Sequence, residues 1–333
     1  MIKFFRQIRQ KLVSENKFSK YLIYAVGEIV LVVIGILIAL NLNNQNEQRK
    51  AEAKVELIFN DIMEELISDI QTTTMPMEHF SLRDSTIYLV LSEQVNYDDY
   101  RYNRVPAINV LTKFHNPVNL TQNAYDNLVR ELNIVPPKYK PIIQDLEVLY
   151  SYHKRFVTDA NQDMVNFILD QEHFGMRNYS WWYIRNESEF QESIEFRLND
   201  WRYKNLVSEY QQIGIGNQLR QSIAYRYKAI ECYEKIARLL DKPTDHESFA
   251  FDQKIAEELQ GDWQEVGQSE VAFTIFLKDK RLYGKNNRNN EWEIWSLRRN
   301  RIVDSKLNYA TIVREKDGIF LKYNTVTYKK IEE

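Results

Sequence analysis

Five histidines and one cysteine are the side chains best able to hold a metal or act as base or nucleophile: His79, His115, His153, His173, His246 and Cys232. Their spacing puts no two on one helical turn or in one short loop. Neither a His-Glu-x-x-His pattern nor a cysteine pair of the kind that builds zinc sites occurs. Gly214-Ile215-Gly216 lacks the third glycine and the preceding strand of a dinucleotide fingerprint, and there is no Gly-x-Ser-x-Gly elbow or P-loop. Acidic neighbours such as Glu64 and Glu65 fall on an amphipathic pattern and are expected on its solvated face, so no acid–base couple stands out. His153 lies on an apolar stripe and is expected as a core histidine. Cys232, alone, can form no intramolecular disulfide and is expected as a small apolar filler in a helix. The expectation is a chain with no enzymatic activity, no cofactor and no metal site.

Glu28 has a different setting, as the one ionisable residue within Tyr21–Leu42 (YLIYAVGEIVLVVIGILIALNL). About 20 predominantly apolar residues suffice for a helix to cross a bilayer, so this run predicts a transmembrane helix. A carboxylate near the centre of such a helix costs about 2–3 kcal/mol, which makes intramembrane ionisable groups functional candidates. Gly27 and Gly35 sit on faces where a second helix can approach closely, so Glu28, Gly27 and Gly35 form a candidate surface for a helical partner inside the membrane, a second copy of the chain included. The competing reading leaves Glu28 near the cytoplasmic third of the span, satisfied by water and by Tyr24.

Lys3, Arg6, Arg9, Lys11, Lys17 and Lys20 precede the span against a single acid, Glu15, whereas charges of both signs follow it. The positive-inside bias predicts a cytoplasmic N terminus and an exported remainder, hence a single-pass protein of the bacterial inner membrane with a periplasmic bulk. The same cations, interleaved with Phe4, Phe5, Ile8, Leu12 and Val13, suit an anionic membrane surface. The end of the run, Ile38-Ala39-Leu40-Asn41-Leu42, lacks the small-x-small pattern of a cleaved signal peptide, which favours a signal anchor.

Beyond the span the period of 3.6 predicts helices. Val55, Ile58, Phe59, Ile62, Leu66 and Ile70 form one stripe, ended by Pro76. Further helices are expected over 79–93, from Thr121 as N-cap to Glu131, from Pro136-Pro137 to near Gly175, over 189–213 and over 218–240, with a break at Gly214-Ile215-Gly216 and a long irregular connection over 95–120. Trp181 and Trp182 are expected over the end of a helical bundle or at the membrane surface. From residue 251 the period changes to 2: Val271, Phe273, Ile275 and Leu277 alternate, and Asp317-Gly318 is a hairpin signal. Strands are expected over 263–267, 271–278, 281–285, 291–298, 301–304, 308–315, 318–323 and 325–331.

The whole reads as α+β: a cytoplasmic segment 1–20, a transmembrane helix 21–42, an antiparallel helical bundle 46–241, a linker 242–250, and a small antiparallel β-meander 251–333, open or closed into a barrel. At roughly 70 residues the β unit is short, and its apolar rows are expected to fill it. Basic residues outnumber acidic ones 14 to 6 between Lys278 and Lys330, expected as a solvated exterior.

The run SENKFSKYLIYAVGEIVLVVIGILIALNLNNQNE, Ser14 to Glu47, resembles the N-terminal signature of a family of single-pass membrane proteins from Gram-negative bacteria that is defined only as a domain of unknown function. NAYDNLVRELNIVPPKYKPIIQDLEVLY, Asn123 to Tyr150, resembles that family's interior pattern. The family's usual tryptophan is replaced by Gln45, which removes one interfacial anchor. Leu259-Gln260-Gly261-Asp262-Trp263 resembles the opening of lipocalin-like barrels and marks an addition to the family's architecture. The resemblance implies membrane anchoring and carries no catalytic residue with it.

A net charge of −3 excludes the strong basic field of nucleic-acid binders. Three function classes remain. The preferred one is a non-catalytic envelope scaffold that touches membrane lipid and binds a membrane or periplasmic protein. The alternative is an exported ligand sensor that signals through a partner. An envelope hydrolase with a site assembled from distant residues is the third.

Overall fold

The computed structural model describes residues 18–297, 300–323 and 325–331. Lys3, Arg6, Arg9, Lys11 and Lys17 lie outside them, and Lys20 is described only as part of a helix. Helix α1 (Phe18–Thr72) opens the chain and includes one stretch long and apolar enough to cross a membrane. Two compact units divide the chain: residues 1–57 with 131–137, and residues 58–130 with 138–333. In the first unit Lys54 pairs with Glu131 at 2.8 Å, and an added Cβ at Gly27 or Gly35 would meet nothing within 4 Å.

In the second unit the α1 stripe is buried as its spacing predicts, through Phe59, Ile62, Leu66 and Ile70. The helix stops at Thr72 rather than at Pro76. Pro76 falls in the first turns of α2 (Thr74–Ser81), where the missing N–H costs nothing. The single helix expected over 79–93 is two, α2 and α3 (Asp84–Leu91). The connection to residue 120 is mostly irregular but holds α4 (Tyr97–Arg101), closed by a capping box between Asn96 and Asp99.

Thr121 does not cap α5 (Asn123–Arg130). Its N–H and hydroxyl both donate to Asp69 Oδ1, at 2.9 and 3.0 Å. The cap comes from across the fold, because the Glu65 carboxylate accepts the Ala124 N–H at 3.1 Å. Glu65 is therefore half-buried and not on the solvated face, whereas Glu64 is exposed. A free N–H at a helix N-terminus and a carboxylate favour each other through both the hydrogen bond and the helix dipole.

Helix α6 (Lys140–Val148) runs through a π-helical turn, Leu149–His153, into α7 (Lys154–Asn178). Past this wide turn Val157 is buried, while Phe156 is only half-buried. A second correction concerns 189–240. The chain breaks at Asp200, whose side chain accepts from the Arg202 N–H and separates α8 (Glu187–Asn199) from α9 (Trp201–Ile213). At Gly214 it does not break but continues as π-helical turns, Gly214–Leu219, into α10 (Arg220–Leu239). Gly214 is required by packing: a Cβ there would lie 2.5 Å from the Phe80 ring.

After α11 (Gln253–Leu259), strands β1 (Gly261–Glu265), β2 (Val271–Lys278), β3 (Arg281–Asn286), β4 (Glu291–Leu297), β5 (Arg301–Asp304), β6 (Tyr309–Glu315), β7 (Gly318–Lys322) and β8 (Thr327–Lys330) form a closed antiparallel barrel in sequence order. Closure comes from β1 pairing with β8, with Trp263 opposite Lys330. Trp263, Ile275, Leu282, Ile294, Ile302 and Leu321 belong to its filled core. Helix α11 adds Ala256 and Leu259 to that core, and the Trp263 indole N–H donates to the Leu259 carbonyl at 3.0 Å.

The barrel's outer face packs against the helices. Trp295, Val303 and Tyr309 share a buried cluster with Met77, Phe80, Tyr210 and Leu219. Arg226 crosses this seam, fully inside it. Its guanidinium donates to the carbonyls of Ile70 (2.7 Å) and Ser248 (3.0 Å) and lies 5.6 Å from the Trp295 ring centre. Burial pulls its pKa down to about 10.

Candidate functional site

Three places in the second unit concentrate polar or aromatic side chains. The first is a pair of buried relays. His79 Nε2 lies 2.7 Å from the Tyr210 hydroxyl, and that hydroxyl donates to the Phe114 carbonyl at 2.7 Å. With the hydroxyl proton committed, the imidazole must be the donor. Burial, helped by the Arg83 charge, lowers the His79 pKa to about 3, so the ring is neutral. Nearby, Asp69 accepts from Thr121 and, at 2.5 Å, from the Tyr225 hydroxyl; burial raises both pKa values. Both Asp69 oxygens are committed inside closed packing, an arrangement that orders the core.

The second place is the helix–barrel seam. Glu293, 1% exposed, accepts from the Trp295 indole at 3.1 Å and lies 3.5 Å from Arg281, which pairs with Glu234 at 3.0 Å. Burial raises the Glu293 pKa. The Tyr227 hydroxyl accepts the Glu293 N–H, and its ring meets Trp295 edge-on at 5.3 Å. These contacts tie α10 to β3 and β4. His153 is half-buried at the edge of this region, its pKa lowered by burial and by Lys228.

The third place is an open cavity of about 210 Å³ between α7, α8, α9 and the loop 179–186. Helix α7 contributes Phe167, Asp170, Gln171 and Phe174, residues on one face at i, i+3, i+4 and i+7. Helix α9 contributes Arg202, Leu206 and Glu209 in the same way, α8 contributes Phe196, and the loop contributes Tyr179 and Trp182. The rings pack on one another: Tyr179 stacks on Trp181 at 4.7 Å and meets Phe196 at 4.9 Å. Trp182 lies directly over Gly175, where a Cβ would come within 2.1 Å of the indole. The indole N–H donates to Glu172 at 2.9 Å, and the Lys113 ammonium sits 5.5 Å from its ring centre.

The polar groups of the cavity divide into committed and uncommitted. Gln171 is buried, and its amide exchanges two hydrogen bonds with Thr112, at 2.8 and 2.5 Å. Arg202 pairs with Asp200 at 2.9 Å. Behind the wall, Arg197 is buried and donates to Asn109 at 3.0 Å; burial lowers its pKa. Asp170 and Glu209 are exposed, and neither forms a hydrogen bond or ion pair with any described residue.

Glu28, Gly27 and Gly35 are on α1 in the first unit, whereas all three places belong to the second. Cys232 is buried on α10 and its thiol pKa is pushed up to about 12, as an apolar filler requires. Among the described residues no group of three or more His, Cys, Asp or Glu side chains is arranged to hold a metal. The tryptophans at 181 and 182 are the sequence signal that pointed nearest the cavity. No family model, curated protein or solved structure matches the chain.

Proposed function

We propose that this chain is a single-pass inner-membrane protein whose periplasmic part binds another molecule without transforming it. The supporting observation is the apolar surface of α1. Leu22 and, apart from Glu28, every residue from Val26 to Leu42 are exposed, Ile29, Leu31, Leu37 and Leu42 by more than half. In water so large an apolar surface is a liability, whereas in lipid it is the required solvent match. The resemblance of Ser14–Glu47 to an anchored family and the basic flank from Lys3 to Lys20 support the same orientation. Within the span, Glu28, flanked by Gly27 and with Gly35 two turns on, is the proposed contact for a membrane partner.

Two experiments test this. Alkaline phosphatase fused after Asp241 is active if the bulk is exported; an inactive fusion reverses the topology. Crosslinking in native membranes recovers a companion chain whose yield falls in Glu28→Leu. Recovery of the protein alone argues against a scaffold, and an unchanged companion removes Glu28 from the contact.

The sensor reading is favoured by a separate observation, the aromatic cavity, because concave sites with aromatic walls and a few free polar groups are where small molecules bind.

A further inference from the structure

We propose that the cavity between α7, α8 and α9 binds a small organic monocation, an ammonium group carried on an aromatic or aliphatic ring. This deepens the ligand-binding reading and rests on it. Size comes first: about 210 Å³ lies below the roughly 300–1,000 Å³ of drug-sized sites, so a single ring with a short side chain is the right scale. The walls come second. Phe167, Phe174, Tyr179, Trp182 and Phe196 present π faces and edges, which attract both an apolar ring and a desolvated cation.

The supply of donors and acceptors decides the charge. Of the lining's donors, the Trp182 indole is committed to Glu172 and the Gln171 amide to Thr112, while the Arg202 guanidinium has its charge offset by Asp200 through one N–H. The acceptors at the lip, the carboxylates of Asp170 and Glu209, have no partner among the described residues. A ligand that needs donors, such as a carboxylate or phosphate, would meet uncompensated negative charge. An ammonium brings the missing donors and the missing charge together, with its ring against Phe174, Tyr179 and Phe196.

The test compares two ligands of nearly equal shape, 2-phenylethylamine and 2-phenylethanol. Each is titrated calorimetrically into the full chain in nanodiscs of zwitterionic lipid, with empty nanodiscs as blank. The amine is expected to bind about tenfold or more tightly than the alcohol, and Asp170→Asn with Glu209→Gln is expected to bring that ratio below about threefold. Equal affinities in the unmodified chain, or a ratio that the double substitution leaves unchanged, overturn the cation assignment and leave the cavity a ligand site. Binding of neither ligand overturns both the assignment and the ligand-binding reading.

Discussion

Acidification should expose the cost of keeping His79 neutral. The ring is 6% exposed on α2, donates to Tyr210, and faces the positive charge of Arg83 and the imidazole of His115. Its folded pKa of about 3 lies below the unfolded value of about 6.5, so the unfolded state takes up the proton first. The stability this neutral ring provides is therefore complete above about pH 7 and is lost as pH falls through 6.5. Between pH 7.5 and pH 5 the loss is about 2 kcal/mol, from RT ln(1 + 10^1.5) less the small term at the upper pH. That figure depends on the unfolded value alone so long as the folded one stays below about 4. Other buried groups titrate as well: Asp69 and Glu293, with raised pKa values, shift stability the opposite way at lower pH. The His79→Gln variant separates them. Urea unfolding of both proteins in nonionic detergent, followed by tryptophan fluorescence, should show the unmodified protein losing about 2 kcal/mol more than the variant over this pH range. Parallel losses in the two would mean that His79 takes up its proton in the folded state as readily as in the unfolded one, and the neutral-ring assignment would be wrong.

Gly214→Ala should cost about 1–3 kcal/mol, because its methyl group would lie 2.5 Å from the Phe80 ring; Phe80→Leu in the same chain should restore part of the loss in the same urea assay. Cys232 should react with a thiol reagent at pH 8 only as fast as the protein unfolds, since burial holds the thiol up to about 12. Rapid labelling of the folded protein would place that side chain at the surface.

What the sequence made legible was set by whether a pattern is local. The bounds of β2 and β5 agree with their sequence-read ranges, because period-2 alternation and the flanking turn residues both lie within ten residues. Closure of the barrel was open in the sequence, since the β1–β8 pairing joins residues more than 60 positions apart. The helix termini misread most were those decided across the fold. Thr121 looks like an N-cap but is taken by Asp69, and α5 is capped by Glu65 from another helix. Gly214 looks like a breaker, yet it is a close approach to Phe80 that leaves the helix running. The cavity escaped notice because Asp170 and Glu209 stand 39 positions apart on separate helices, each reading as an ordinary solvated charge.

The seam bears on how the β unit works. A meander reached through a polar linker invites the picture of an independent module, yet three consecutive residues of β4, Glu293, Ile294 and Trp295, are buried. In a free barrel of this size alternate residues would face water. Here Ile294 faces the barrel core, while Trp295 belongs to the cluster shared with α2, α3 and α9. Arg226 reinforces the point, because it is buried at the seam, with its two terminal nitrogens donating to the end of α1 and to Ser248 in the linker and its guanidinium against Trp295 of β4. Separating the barrel would expose Trp295, take its ring from Arg226 and take the Tyr227 hydroxyl from the Glu293 N–H. The barrel is thus a buttress for the helices, and the cavity that α7, α8 and α9 form lies on the helical side of the second unit.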